Sequence, residues 1–197
     1  MQDRVFFPLV CFVAAAMVAA ALAPAYGRLP SGSVSVGDRR YDRIVVDGVQ
    51  LNRMIAPGKG RLALLGQGDA RTMRVAPPGA DAGASANEGP HFRLGADIET
   101  QFADHVIRVT VRARGAVDAP AREMQVKYQS APDIHSSWRA FPLRREFADY
   151  SFDFRAPALG DTREVDYLGI RPVGFEGALE IERVVFERLE RWNFPRR

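Results

Sequence analysis

The feature that most constrains this chain is the stretch Val106-Ile107-Arg108-Val109-Thr110-Val111-Arg112-Ala113-Arg114. Ile107, Val109, Val111 and Ala113 alternate with Arg108, Thr110, Arg112 and Arg114. Successive strand side chains point to opposite faces, so this segment predicts a strand with one apolar and one polar face. The period recurs in Met124, Val126 and Tyr128, in Tyr150, Phe152 and Phe154, and in Leu168 and Ile170 before Pro172. A last strand runs through Leu179, Ile181, Val184 and Phe186, with a phase shift near Arg183 that a β-bulge would explain. Leu62 to Leu65, Thr72 to Val75 and His91 to Leu94 are weaker candidates between Gly-rich turns. Ile98 and Phe102 lie four apart and predict one connector turn of helix in Asp97 to Asp104. Seven or eight short strands without an organising helix predict an all-β antiparallel sandwich.

Ahead of this pattern, Val5 to Leu22 carries no charge, follows Arg4 and ends near Ala23-Pro24-Ala25. A basic start, an apolar run and an Ala-x-Ala exit describe a signal peptide. A run of this length also suits an uncleaved transmembrane anchor. Either reading exports the chain beyond about residue 28. The expected division is 1–27 as signal peptide or anchor, 28–40 as linker, 41–190 as the sandwich and 191–197 as an aromatic and basic tail. The expected location is the periplasm, either anchored in the inner membrane or secreted. A second irregular stretch, Ala76 to Pro90, reads as a Gly- and Pro-rich surface loop.

With 197 residues there is room for one ordinary domain. The net charge of +3 comes from interspersed acids and bases rather than a polycationic stripe, which argues against nucleic acid as a partner. Cys11, the only cysteine, lies in the apolar run, so the exported part has no disulfide. Its neighbours Pro8-Leu9-Val10 do not form a lipidation signal.

Several segments resemble the galactose-binding-like jelly rolls, the β-sandwich superfamily that includes many carbohydrate-binding modules. The likeness spans roughly Ile44 to Leu189. It rests on the 106–114 strand, Trp138-Arg139-Ala140-Phe141-Pro142-Leu143 with Tyr150-Ser151-Phe152-Asp153-Phe154, Tyr167-Leu168-Gly169-Ile170-Arg171-Pro172, and Leu179-Glu180-Ile181-Glu182-Arg183-Val184. The resemblance implies a jelly roll and, in many such modules, a structural calcium held by acidic groups near the first and last strands. Arg183 stands where a second acidic residue is often seen, and the six to eight oxygens calcium takes are not assembled. No cofactor is expected.

No catalytic constellation is legible. His91, His105 and His135 lack metal-ligand spacing. His135 beside Ser136 and Ser137 has no nucleophile elbow around it. Glu180 and Glu182 share the outer face of the last strand, where carboxylates are usually solvated. The candidate ligand groups are Arg112, Lys127, Gln129, Trp138 and Arg171, since sugar C–H faces stack on indole while planar polar side chains bond hydroxyls. The competing reading makes Trp138 a half-buried packing residue and the cations a solvated sheet face. The expectation is a non-catalytic envelope protein that binds glycan or assists polysaccharide assembly. The alternatives are a module docking on another envelope protein and a hydrolase with an unrecognised site.

Overall fold

A computed structural model describes residues 10–18, 29–35, 41–57, 61–77, 84–158 and 165–189. Among the described residues ten strands form two antiparallel sheets. In chain order they are β1 (Arg43–Asp47), β2 (Leu62–Leu65), β3 (Thr72–Val75), β4 (His91–Arg93), β5 (Val106–Gly115), β6 (Glu123–Gln129), β7 (Arg139–Pro142), β8 (Ala148–Arg155), β9 (Tyr167–Pro172) and β10 (Leu179–Arg188). The larger sheet runs β2-β3-β10-β5-β8, and β1 also pairs with β10; the smaller runs β4-β9-β6-β7.

The alternating sequence does the sorting. Ile107, Val109, Val111 and Ala113 of β5 are each at most 1 % exposed. They face Met124, Val126 and Tyr128 of β6 and Leu168 and Ile170 of β9 across one continuous core. Burying each aliphatic side chain contributes about 1.5–3 kcal/mol, which is why register is tightly held wherever one face is dry. β10 is the spine of the larger sheet: its first half pairs with β3, its second half with β1, and its other edge with β5 throughout. The phase shift expected near Arg183 is a bulge, with the β10–β5 register slipping between Ile181 and Arg183. One extra residue there returns Val184 and Phe186 to the interior. The weaker strand candidates are β2, β3 and β4, and the connector is a helix at Ala96–Phe102 that buries Ile98 and Phe102.

Three expectations change. The sequence reading passed over β1, whose Ile44 and Val46 are buried against β10 while Val45 is exposed. Within the expected linker, residues 29–35 are docked rather than free. Val34 is 4 % exposed, receives Gly95 N, gives its own N–H to Arg93 O, and bridges Leu94 in parallel. Asn52 and Arg53 clamp the preceding backbone at Pro30, Ser31 and Ser33. The expected surface loop 76–90 also divides: residues 84–90 lie on the smaller sheet, with Ala86, Gly89 and Pro90 buried.

Of the apolar run Val5 to Leu22, residues 10–18 form an exposed helix and the remainder lies outside the described residues. Among the described residues no helix is long and apolar enough to cross a membrane. The 191–197 tail also falls outside them.

Candidate functional site

Arg112 is separated from the other four candidate ligand groups, because it belongs to β5 and faces outward from the larger sheet. That face satisfies its own charges. Arg108 bonds Asp153 through both Nε and Nη2 at 2.8 and 3.0 Å, and Thr110 meets Ser151 at 2.8 Å. Arg112 bonds Glu182 and lies 3.7 Å from Asp149, while Arg114 grips Glu180 at 2.8–2.9 Å. The carboxylates hold the Arg108 and Arg112 guanidinium groups above their ordinary pKa, chiefly through these hydrogen bonds. Glu180, expected to be solvated, is 5 % exposed and serves as the buried partner of Arg114. Arg112 is thus engaged in ion pairs on this face. Arg183, at the bulge, lies 3.7 Å from Asp149. Among the described residues no three acidic, His or Cys side chains cluster for a metal.

The remaining four candidates come together on the smaller sheet. Its β6–β9 register pairs Gln125 with Arg171, Lys127 with Gly169 and Gln129 with Tyr167, all on the outward face. Across this face lies a strap, residues 84–90. Lys127 Nζ and Trp138 Nε1 both donate to Ala84 O at 3.0 Å, and Ala86 N donates to Gln129 Oε1 at 2.9 Å. A capping box between Ser85 and Glu88 stiffens the strap's one helical turn. Lys127 and Gln129 are accordingly 5 % and 6 % exposed, not solvated. Burial draws the Lys127 pKa down, with the Glu88 charge partly offsetting it. Gly169 makes the seat possible: a Cβ there would meet Ala86 O at 2.8 Å and the indole Cη2 of Trp138 at 2.9 Å.

Trp138 itself is half-buried. It is delivered by a tight turn in which Ser137 takes φ +59°. Ser136 Oγ accepts Tyr128 N at 2.9 Å and donates to Ser137 O, while Ser137 N donates to His135 Nδ1. These groups, weighed as a nucleophile and base, therefore build the turn. The Arg171 guanidinium lies 3.9 Å from the Trp138 ring centroid and bonds Gln125 Oε1 at 2.9 and 3.1 Å. This stack holds the indole at the margin of the sheet.

Beside Trp138 an open groove of about 570 Å³ separates the two sheets. β7 and β8 are the edge strands of different sheets, and their open sides form its walls. Phe141 and Phe152 supply apolar surface, while Arg139, Ser151 and Asp153 supply polar groups. Apart from Trp138, sequence reasoning missed these residues. The signal was present in consecutive strands with aromatic residues on their inward faces, but sheet membership decides that they meet.

Beneath the far end of the strap sits a buried polar cluster. Tyr128 Oη donates to Asp166 Oδ2 at 2.5 Å, and Asp166 N donates to Glu99 Oε1 at 2.9 Å. Burial lifts the Asp166 carboxyl to a pKa of about 6, against the pull of the Tyr128 hydrogen bond. Burial, followed by the Asp166 charge, raises Tyr128 well above its ordinary value.

No protein-family model and no curated protein matches the chain. Solved structures do. A candidate sugar-binding protein from Bacteroides thetaiotaomicron superimposes with a TM-score of 0.50 at 12% identity, over 83% of this chain and 96% of that one. A CBM22-1 xylan-binding domain from Paenibacillus barcinonensis gives 0.43 at 7% identity, over 68% and 85%. A Stig cyclase from a Fischerella species gives 0.41 at 13%, over 76% and 86%. The two antiparallel sheets, their order and the first of these likenesses make the fold a jelly-roll β-sandwich.

Proposed function

We propose that the chain is an exported envelope protein, tethered to or released from the inner membrane through its first 27 residues, whose sandwich binds glycan without transforming it. A place in polysaccharide assembly is consistent with that role. The observation that carries the reading is the groove beside Trp138. Indole and the two phenyl rings offer surfaces for sugar C–H faces, while Arg139 and the remaining lone pairs of Asp153 and Ser151, which also bond Arg108 and Thr110, offer hydroxyl partners. The likeness to a candidate sugar-binding protein supports the ligand class, although fold alone does not fix function.

A glycan array followed by calorimetry on the hits tests this. Trp138→Ala is expected to weaken binding at least about tenfold, the loss of one aromatic contact in a small site. An array without hits, or full affinity in that variant, removes the reading. A C-terminal reporter active only outside the cytoplasm tests export; a silent fusion would overturn it.

A protein-docking role is the second reading. Val117 and Phe175 are 78 % and 77 % exposed on two loops. Ala178 ties those loops together by accepting from Ala116 N and Ala121 N and donating to Ala119 O. Rigid exposed apolar tips suit a partner surface. A stoichiometric protein recovered with the wild type and lost in Phe175→Ser would favour it.

A further inference from the structure

An edge strand leaves one row of backbone N–H and C=O groups without a ladder partner, a template for another strand. β8 is the long edge of this sandwich. It pairs with β5 along its whole length, from Val106 opposite Arg155 to Ala113 opposite Ala148, without a bulge, and among the described residues no strand pairs with its other side. The edges at β2, β4 and β7 are short by comparison: β2 and β7 have four residues each and β4 three, and β7 ends in Pro142. β8 also lacks the devices that blunt an edge, having no proline, no lysine and no inward-pointing charge. Where the chain leaves β8 it stays on the β5 side, since Ala156 N donates to His105 O and Pro157 O accepts Asp104 N.

The side chains of β8 say what fits beside it. Tyr150, Phe152 and Phe154 share the inward face of Val111, Val109 and Ile107, yet Tyr150 and Phe152 are only partly buried, because the sheet ends with them. Asp149, Ser151, Asp153 and Arg155 are exposed on the outward face. In an antiparallel pair, residues directly opposite make the same kind of rung, so a copy of β8 laid against β8 must match odd positions with odd and even with even. With Phe152 opposite its own counterpart, Asp149 falls opposite Arg155 of the second copy, Tyr150 opposite Phe154 and Ser151 opposite Asp153, and the whole strand is used. A slide of two residues one way opposes Asp149 to Asp153; two residues the other way opposes Asp153 to itself. Like charges directly opposite are destabilising, so charge selects one register. Asp149 and Arg155 also have contacts within their own copy, but Asp149 meets Arg112 and Arg183 only at 3.7 Å, and a guanidinium carries five donors.

We infer that β8 is a self-association edge: two copies of this chain pair β8 with β8, antiparallel about a two-fold axis at Phe152, and join their larger sheets into one. The Asp149 and Arg155 pairs at the two ends fix the register, and the aromatic residues between them cover the part of the core that each copy leaves open. The pairing covers the Ser151 to Asp153 wall of the groove, so the paired state and a glycan-filled groove exclude one another. It stands on the strand edge and not on the glycan reading.

The test is position-specific disulfide formation in the full chain in detergent micelles, with Cys11→Ser removing the native thiol. Asp149→Cys and Arg155→Cys, both at exposed positions, are made as separate variants. Opposite residues hold their Cβ atoms about 5 Å apart, within reach of a disulfide after a small adjustment. An equimolar mixture of the two variants should form covalent dimer at least about fivefold faster than either alone. Sedimentation of the unsubstituted chain should show a monomer–dimer equilibrium with a Kd in the roughly micromolar range. Asp149→Arg or Arg155→Asp should each weaken it about tenfold, and the two reversals combined should restore it. The proposal is overturned if the chain stays monomeric to roughly 100 µM, if the mixture cross-links no faster than the single variants, or if the combined reversal restores nothing. Protection of the β8 edge amides from hydrogen exchange in a monomer would also overturn it, by assigning the edge to another segment of the same chain. Glycan binding and its loss in Trp138→Ala are read separately, so either reading can fail alone.

Discussion

The outer faces of the two sheets begin from the same alternation of apolar and polar residues and end differently. On the larger sheet most chemical partners are also register partners: Arg108 sits opposite Asp153, Thr110 opposite Ser151 and Arg114 opposite Glu180, while Arg112, opposite Asp149, bonds Glu182 at the bulge. Such a face is complete as soon as the strands pair. On the smaller sheet only Gln125 and Arg171 match across the ladder; Lys127 faces a glycine and Gln129 a tyrosine. Polar groups without a cross-strand partner must find one elsewhere or carry the cost of burial. Here they recruit a third layer, the 84–90 strap and Trp138. Which residue stands opposite decides whether a polar face is closed chemistry or the seat of a further layer.

The contrast can be broken most forcefully at Gly169. Gly169→Val places a side chain where Ala86 O and the Trp138 ring already lie, and should cost about 3 kcal/mol or more in urea unfolding, with a red-shifted tryptophan emission. Thr110→Val on the larger sheet should stay within about 0.5 kcal/mol. A Gly169→Val protein as stable as wild type would show that the strap is not seated as described.

Next in size is Asp166. Its folded pKa of about 6 lies above the ordinary 3.8, so its contribution is fully present below about 3.8 and is lost as pH rises through 6. From this group alone the wild type should lose up to about 3 kcal/mol of stability between pH 4 and pH 7. Asp166→Asn, which still offers Tyr128 an acceptor, should flatten that slope in denaturant titrations run across the range. An unchanged slope would place the pH dependence elsewhere.

Smaller effects sharpen the comparison. Lys127→Met keeps the packing of a long side chain but removes one of the two donors to Ala84 O, and should cost about 1 kcal/mol in thermal melts. Arg108→Ala, on the closed face, should leave the melting temperature unchanged, because exposed ion pairs contribute little, and a fall in it would show that this face is held by more than its exposed pairs.

Much of the sandwich is legible in the chain because alternation reports directly on a two-sided environment. β5, β6, β8 and β10 follow from it, and so does the bulge, since only an added residue returns Val184 and Phe186 to the core. β1 escaped because Ile44-Val45-Val46 reads as an apolar run beside a tether, and only pairing with β10 turns Val45 outward. The site was half legible. Trp138, Arg171, Lys127 and Gln129 were named and do converge, but Lys127 and Gln129 hold a segment whose Ala, Gly and Pro content reads as free loop. Arg112 lies apart from the other four, on the larger sheet: alternation gives a residue's side of its strand, not the sheet to which that strand belongs. The groove required both pieces of information, since its walls are edges defined by strand order.

The docked segment 29–35 has a mechanical consequence. Arg43 opens β1 opposite Glu187, near the end of β10, so tension drawn between the chain before β1 and the chain after β10 would peel their rungs in succession rather than shear them together. Val34, gripped by Arg93 and Gly95, and the backbone clamped by Asn52 and Arg53 lie upstream of that seam. They act as strain relief does on a cable, passing a pull from the N-terminal side into the body of the sandwich before it reaches its weakest zip.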